Sequence, residues 1–180
     1  MAKKEFLVKR DVIYKGKIIN VYNDLINIEG TDINSNREIV NHNGGVCAVV
    51  KTKEGKIKFV RQFRYAFNEF TIEVPAGKIE RGESPDYTIL RELEEEVGAK
   101  VKSIKKLGIL YPSPGFSQEV LHLYYTDDYE TTDSHFDYDE DLDSFELTYE
   151  EALQKIENGE IVDAKTVAII LRVRDYFIVK

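Results

Sequence analysis

The 180-residue sequence predicts an α/β fold: a mixed sheet with helices packed against it, preceded by a small N-terminal antiparallel β region. Three observations lead there. The first 45 residues are rich in Val, Ile, Tyr and Leu in partial alternation, the period of strands. Residues 84–97 carry marks of a helix at both ends. Strands and helices then interleave without a regular strand–helix–strand beat, so the sheet is expected to be mixed.

In chain order, residues 5–13 and 17–28 read as two strands of a hairpin joined through Tyr14-Lys15-Gly16, and Arg37–Asn41 as a third. Asn43-Gly44-Gly45 is a turn and marks a boundary, giving an N-terminal β region over 1–43 and a main domain over 44–180. Two strands, 46–52 and 56–62, follow around Glu54-Gly55. In the helix over 84–97, Ser84 serves as cap, Pro85 fits the first helical position, Asp86 favours the positive end of the dipole and Gly98 fits the left-handed terminator. Strands are expected at 103–111 and 119–126. Thr148 with Glu151 forms a capping-box pattern that opens a helix ending before Gly159. A last helix over 164–177 is expected to bury Val167, Ile170, Leu171 and Phe177.

Charge is distributed unevenly. Residues 127–151 hold twelve Asp and Glu and no Lys or Arg; taking those charges from the net −8 leaves a body of +4. A net acidic chain does not suit a nucleic-acid-coating protein. At 42% hydrophobic residues the chain can bury a core, which excludes disorder. Cys47 is the single cysteine and sits in the apolar run 46–50, where it reads as a buried small hydrophobe; no intrachain disulfide can form. The first ten residues lack an apolar leader segment, and no apolar stretch approaches the ~20 residues of a membrane span, so a cytoplasmic protein is expected.

The helix over 84–97 carries the chemistry. Ile89, Leu90, Leu93 and Val97 share one apolar arc, and Glu92, Glu95 and Glu96 share the adjoining one. Glu92 and Glu96 lie four apart, where like charges repel. Three carboxylates beside buried surface call for a counterion, and hard divalent cations with oxygen ligands, Mg2+ or Mn2+, would supply one. On the helix alone, a solvated acidic face is the competing reading. The flanks add Glu73-Val74-Pro75-Ala76-Gly77-Lys78, a loop whose backbone can approach a metal or phosphate, and Ser113-Pro114-Gly115, a second rigid turn. His42, His122 and His135 are scattered, and no Ser/His/Asp ordering offers a side-chain nucleophile.

The stretch from Gly77 to Ala99, GKIERGESPDYTILRELEEEVGA, resembles the Nudix box: Gly, five residues, Glu, seven residues, then Arg-Glu-apolar-x-Glu-Glu-x-Gly-apolar. Gly77, Glu83, Arg91, Glu92, Leu93, Glu95, Glu96 and Gly98 fill the fixed positions; Ala99 stands where a larger aliphatic is usual. The resemblance implies an α/β/α sandwich and a metal-dependent hydrolase of nucleoside diphosphates linked to another moiety. It implies metal ligands at Glu92, Glu95, Glu96 and the Ala76 carbonyl, an orienting role for Arg91, and an outer or supporting role for Glu83.

Arg61-Gln62-Phe63-Arg64-Tyr65, then Glu73-x-Pro75-Ala76-Gly77-Lys78 and Pro114 beyond the box, is similar to the ADP-ribose pyrophosphatases of that family. This implies ADP-ribose as substrate, with AMP and ribose 5-phosphate as products; ADP-glucose, GDP-mannose and dinucleotides are the alternatives, and a non-catalytic nucleotide sensor the remaining one. Arg64 and Arg61 are then candidates for phosphate, and Glu73 for a ribose or an arginine partner. Pro114 and Glu119 would lie on the substrate side. The N-terminal β region would pair two copies and help bind adenine. In such enzymes a mobile acidic loop brings a Glu that activates water, here Glu140 within Asp137-Tyr138-Asp139-Glu140-Asp141. Tyr138 stands where relatives have Glu, which leaves Asp139 or a metal-bound hydroxide as the other candidates.

Overall fold

The computed structural model describes residues 2–133 and 142–178. The chain forms two compact units, one of Met1–Gly44 with Tyr111–Val120, the other of Gly45–Leu110 with Leu121–Lys180.

In the first unit, β1 (Glu5–Lys15), β2 (Ile19–Ile28) and β3 (Asn34–His42) form an antiparallel meander in that order. Gly16 N–H donates to the Ile19 carbonyl at 2.9 Å and closes the hairpin turn. Arg10 on β1 holds the buried Asp24 of β2 through two hydrogen bonds of 2.7 and 2.6 Å, and Arg37 of β3 pairs with Glu5. The Tyr111–Val120 segment lines the free edge of β3: Val40 N–H donates to the Phe116 carbonyl at 2.8 Å, and Gln118 N–H to the Val40 carbonyl at 2.9 Å. β1 is the other edge, and all eleven of its residues are exposed.

The second unit is built around β4 (Gly45–Val50), six buried residues, as expected of a strand covered on both faces. It runs antiparallel to β7 (Ala76–Lys78) and parallel to β9 (Leu121–Thr131), which pairs with β8 (Ala99–Leu110). A second, antiparallel sheet is ordered β10 (Leu142–Leu147), β5 (Ile57–Arg64), β6 (Glu69–Glu73). The alternation of β4 sends Val46, Ala48 and Val50 to one face, where Ile89, Leu93 and Val97 of α1 (Pro85–Val97) pack. Cys47 and Val49 go to the other, against α2 (Tyr149–Glu157) and α3 (Ala164–Arg172). The result is the expected mixed-sheet α/β/α sandwich. Cys47 is fully buried, and burial pushes its thiol up to about 12, which suits a core residue.

The helix ends follow their residues. Ser84 Oγ accepts Tyr87 N–H at 3.2 Å, Thr148 and Glu151 close a reciprocal capping box, and Gly98 ends α1 at φ 58, ψ 39. Because only glycine holds that left-handed backbone without strain, Gly98→Ala should destabilise the protein by about 1–2 kcal/mol, measurable by urea denaturation.

Some elements depart from the sequence reading. The segment 73–78, expected as a loop, holds the end of β6 and all of β7; three residues are too few to show a period. β8 begins at Ala99, directly after the helix terminator, and β10 lies inside the acidic window. Leu90 is 39% exposed, while Thr88, Glu92 and Glu96 are buried, so α1 turns its acidic edge inward rather than its full apolar arc. The last helix stops at Arg172 and a short 3-10 turn (Arg174–Tyr176) follows; Ile169, Ile170 and Val173 are buried, whereas Leu171 points outward at 55% exposure. The window's acids acquire partners: Asp127 accepts the Tyr125 hydroxyl at 3.0 Å, and Glu130 pairs with Lys102 at 3.0 Å.

Candidate active site

α1 lays two carboxylates against the short strand β7. Glu92 is 8% and Glu96 3% exposed. Glu96 Oε2 accepts the Ala76 N–H at 2.9 Å. Glu92 occupies the place a side chain would take at position 77: a Cβ on Gly77 would lie 2.0 Å from its Oε1, 2.1 Å from its Cδ and 2.3 Å from its Cγ. Glycine is thus required there by close approach. Gly77→Ala should expel the whole Glu92 side chain and weaken divalent-cation affinity at least about tenfold in a Mn2+ titration, with the far-UV circular dichroism unchanged.

Arg91 gathers the remaining acids. Its Nη1 donates to Glu95 Oε2 at 2.7 Å and its Nη2 to Glu92 Oε1 at 2.9 Å, with Glu83 Oε2 3.6 Å away. Partial burial works against its charge, but Glu92, Glu95 and Glu83 outweigh that and raise its pKa further. Glu83 is held by the Thr88 hydroxyl at 2.8 Å, which, with Arg91, keeps its pKa below the usual carboxylate value. Glu83, Glu92, Glu95, Glu96, Arg91, Gly77 and Ala76 therefore lie together, as the resemblance implies. Among the described residues, no three His, Cys, Asp or Glu side chains are closed around a point that would hold an ion. The Arg91 guanidinium engages Glu92 and Glu95. The donor set nevertheless fits a hard divalent cation: it is all oxygen, anionic, and partly withdrawn from water.

A second cluster sits at the other end of the same backbone. Glu73, 2% exposed, is the hub. Arg64 Nε donates to it at 2.6 Å, Thr71 Oγ at 2.6 Å, and Lys165 is paired with it. Burial alone would raise the Glu73 pKa, but the Arg64 hydrogen bonds and the Lys165 charge outweigh it and hold the group at about 2. Lys165 also donates to Asp163 at 3.0 Å; burial works against its charge, and the two carboxylates more than restore it. Glu73 thus takes the arginine partner that the sequence offered as one of its two roles. Arg64, half-exposed, is held at the mouth of the cluster. Arg61 is exposed and stacks over Phe70 at 4.7 Å.

Asp163, Lys165 and Thr166 escaped sequence reasoning. The available signal was Asp163 three residues before Thr166 at a helix start, the pattern of a side-chain cap. Pro114 and Glu119 lie in the first unit, where Glu119 N–H donates to Ser117 Oγ at 3.1 Å and its carboxylate is 3.6 Å from His42 Nδ1. That nitrogen accepts Gly44 N–H at 3.0 Å. Glu140, with Tyr138 and Asp139, lies outside the described residues.

Comparison with known proteins agrees with this geometry. The NUDIX domain model matches residues 41–168. The chain is 39% identical over 165 residues to the ADP-ribose pyrophosphatase of Bacillus subtilis (strain 168), covering 91% of this chain and 89% of the relative. It is 38% identical over 169 residues to the methanol dehydrogenase activator of Bacillus methanolicus, covering 93% and 91%. It is 35% identical over 161 residues to the GDP-mannose pyrophosphatase of Escherichia coli (strain K12), covering 84% of each. A solved structure described as an ADP compounds hydrolase superposes with a TM-score of 0.83 at 16% identity, covering 98% of this chain and 95% of that one, a likeness of fold. With the box residues assembled at one corner of the sandwich, this chain belongs to the Nudix hydrolase family.

Proposed function

We propose that this protein is a divalent-metal-dependent pyrophosphatase of nucleoside diphosphate sugars, with ADP-ribose as the preferred substrate, cleaved by water to AMP and ribose 5-phosphate. The observation that carries the reading is the inward-turned acidic edge of α1 against Ala76 and Gly77. Glu92, Glu95, Glu96 and the Ala76 carbonyl would hold Mg2+ or Mn2+. Such an ion neutralises pyrophosphate charge and lowers the pKa of water.

The chain's own residues do the rest. Arg91 orients Glu92 and Glu95 through its hydrogen bonds. Arg64 and Arg61 present guanidinium groups, the geometry suited to phosphate oxygens. Glu140 would take the proton of the attacking water, and Pro114 and Glu119 would border the substrate. The adenine side is assigned to the N-terminal β region, where a cavity of about 660 Å³ is lined by Tyr22, Asn23, Arg37 and Phe116. The exposed apolar side chains of β1, among them Phe6, Leu7, Val8, Val12 and Ile13, support a homodimer formed through that region. No described helix is long and apolar enough to cross a membrane, and a cytoplasmic site of action fits this reading.

The relatives supply a second reading, hydrolysis of GDP-mannose. A panel of ADP-ribose, ADP-glucose, GDP-mannose and diadenosine diphosphate with Mg2+ separates them. ADP-ribose should have the highest kcat/KM, with AMP as product. A higher value for GDP-mannose would replace the first reading by the second.

A further inference from the structure

The segment between β6 and β7 carries the chain from one sheet to the other, and its polar backbone is fastened at three points. Val74 N–H, having left the ladder of β6, donates to Thr166 Oγ of α3 at 3.0 Å. The Pro75 carbonyl accepts Ala48 N–H of β4 at 3.0 Å. Ala76 N–H donates to Glu96 of α1 at 2.9 Å. Thr166 is fully buried, and its own hydroxyl donates to Asp163 Oδ2 at 2.6 Å. The same Asp163 carboxylate caps α3 through Thr166 N–H at 3.0 Å and binds Lys165, which in turn pairs with Glu73.

We propose that Asp163, Lys165 and Thr166, at the start of α3, are positioning residues: they clamp Glu73 and Val74 and thereby set Ala76 and Gly77 against the acidic edge of α1 and Arg64 at its mouth. The inference rests on the reading of that edge as a metal and phosphate site. Two physical points carry it. Val74 N–H is buried, and no ladder partner replaces Thr166, so loss of the hydroxyl leaves a desolvated donor and forces the backbone to move. Between Val74 and Ala76 lies only Pro75, whose ring fixes φ and so removes one of the few torsions that could absorb a displacement. Lys165 has a separate task. Glu73 holds Arg64 by two hydrogen bonds, and a second cation on the same carboxylate leaves the Arg64 charge less compensated and more available to an anion.

The test uses the full chain labelled with 15N, with four variants: Thr166→Val, Thr166→Ser, Lys165→Met and Lys165→Arg. Amide hydrogen exchange is read at Val74, Ala76 and, as a reference in the central sheet, Leu123. Mn2+ binding is read by electron paramagnetic resonance, and hydrolysis by kcat and KM. Thr166→Val should speed exchange at Val74 and Ala76 relative to Leu123 and weaken Mn2+ binding at least about tenfold, with Thr166→Ser restoring both. Lys165→Met should raise KM at least about tenfold with a smaller change in kcat, and Lys165→Arg should restore it.

Exchange that rises equally at Leu123 overturns the clamp, because the loss is then global. So does Mn2+ affinity left at the wild-type value while Val74 exchange rises, or a serine variant as impaired as the valine one. If Thr166→Val does not fold, the lysine pair decides, and an unchanged KM in Lys165→Met overturns the proposal. A wild type that hydrolyses none of the substrates refutes the functional reading alone, since exchange at Ala76 still reads the clamp.

Discussion

Glu96→Gln should reduce kcat/KM for the preferred substrate by more than about 100-fold, beyond the roughly 10–100-fold that loss of a supporting partner costs. The substitution is chosen for what it keeps. A glutamine amide retains a carbonyl oxygen that can accept Ala76 N–H, so the contact that seats β7 on α1 survives. It removes the negative charge that a hard cation needs. The expected result is a folded protein with a wild-type melting temperature, Mn2+ binding weakened at least about tenfold, and little turnover at any Mg2+ concentration within reach. Removal of the metal with EDTA should silence the wild type in the same assay, and added Mg2+ should restore it. Full turnover by Glu96→Gln would remove the acidic edge from the chemistry and return it to structure.

The largest effect on stability is expected at Glu73. Replacing it by Leu leaves Arg64 and Lys165 without their common partner at a position that is itself closed to water, which should cost about 3–5 kcal/mol. For a chain of this length that corresponds to a fall in melting temperature of roughly 6–20 °C. The acid limb carries a second, independent readout. The Glu73 pKa is depressed from 4.5 to about 2, so its contribution is fully present above the unfolded value and is lost as pH falls from there through about 2. Converted by linkage, that is roughly 3 kcal/mol of pH-dependent stability. Urea denaturation at a series of pH values should show the wild type weakening steeply below pH 4.5, and Glu73→Gln, which has no proton to gain there, following a flatter curve. Parallel curves would remove Glu73 from the acid response.

The acidic corner was largely legible in the sequence because its spacing is local. Ser84, Pro85 and Gly98 fix the ends of α1, and once the helix is in register, Arg91, Glu92, Glu95 and Glu96 must share an edge. What a projection could not decide was which edge faces inward. Leu90 and Glu92 compete for burial, and the glycine at 77 settles it: backbone without a Cβ admits a carboxylate where a methyl would collide. The Glu73 cluster was legible only in part. Arg64 and Glu73 lie nine residues apart across a hairpin, within reach of sequence reasoning, but Lys165 and Thr166 come from 92 residues downstream, and nothing local announces that meeting. Short strands were lost for a different reason. β7 has three residues and β10 lies in an acid-rich run, so neither offers a hydrophobic period to read.

Gly98 is the one residue between the last turn of α1 and the first pair of β8, which joins β9 at Ala99. There is no slack at that junction, and at the other end Ser84 starts the helix one residue after Glu83. The box therefore behaves as a ruler. Its fixed intervals measure angular phase: one residue inserted between Glu83 and Arg91 would turn every carboxylate beyond it by about 100°, carrying Glu92 and Glu96 off β7 to the places where Leu93 and Val97 are buried in the core. A motif usually recited as a set of letters is here a constraint on length, and the blanks between its letters carry as much of the specification as the letters do.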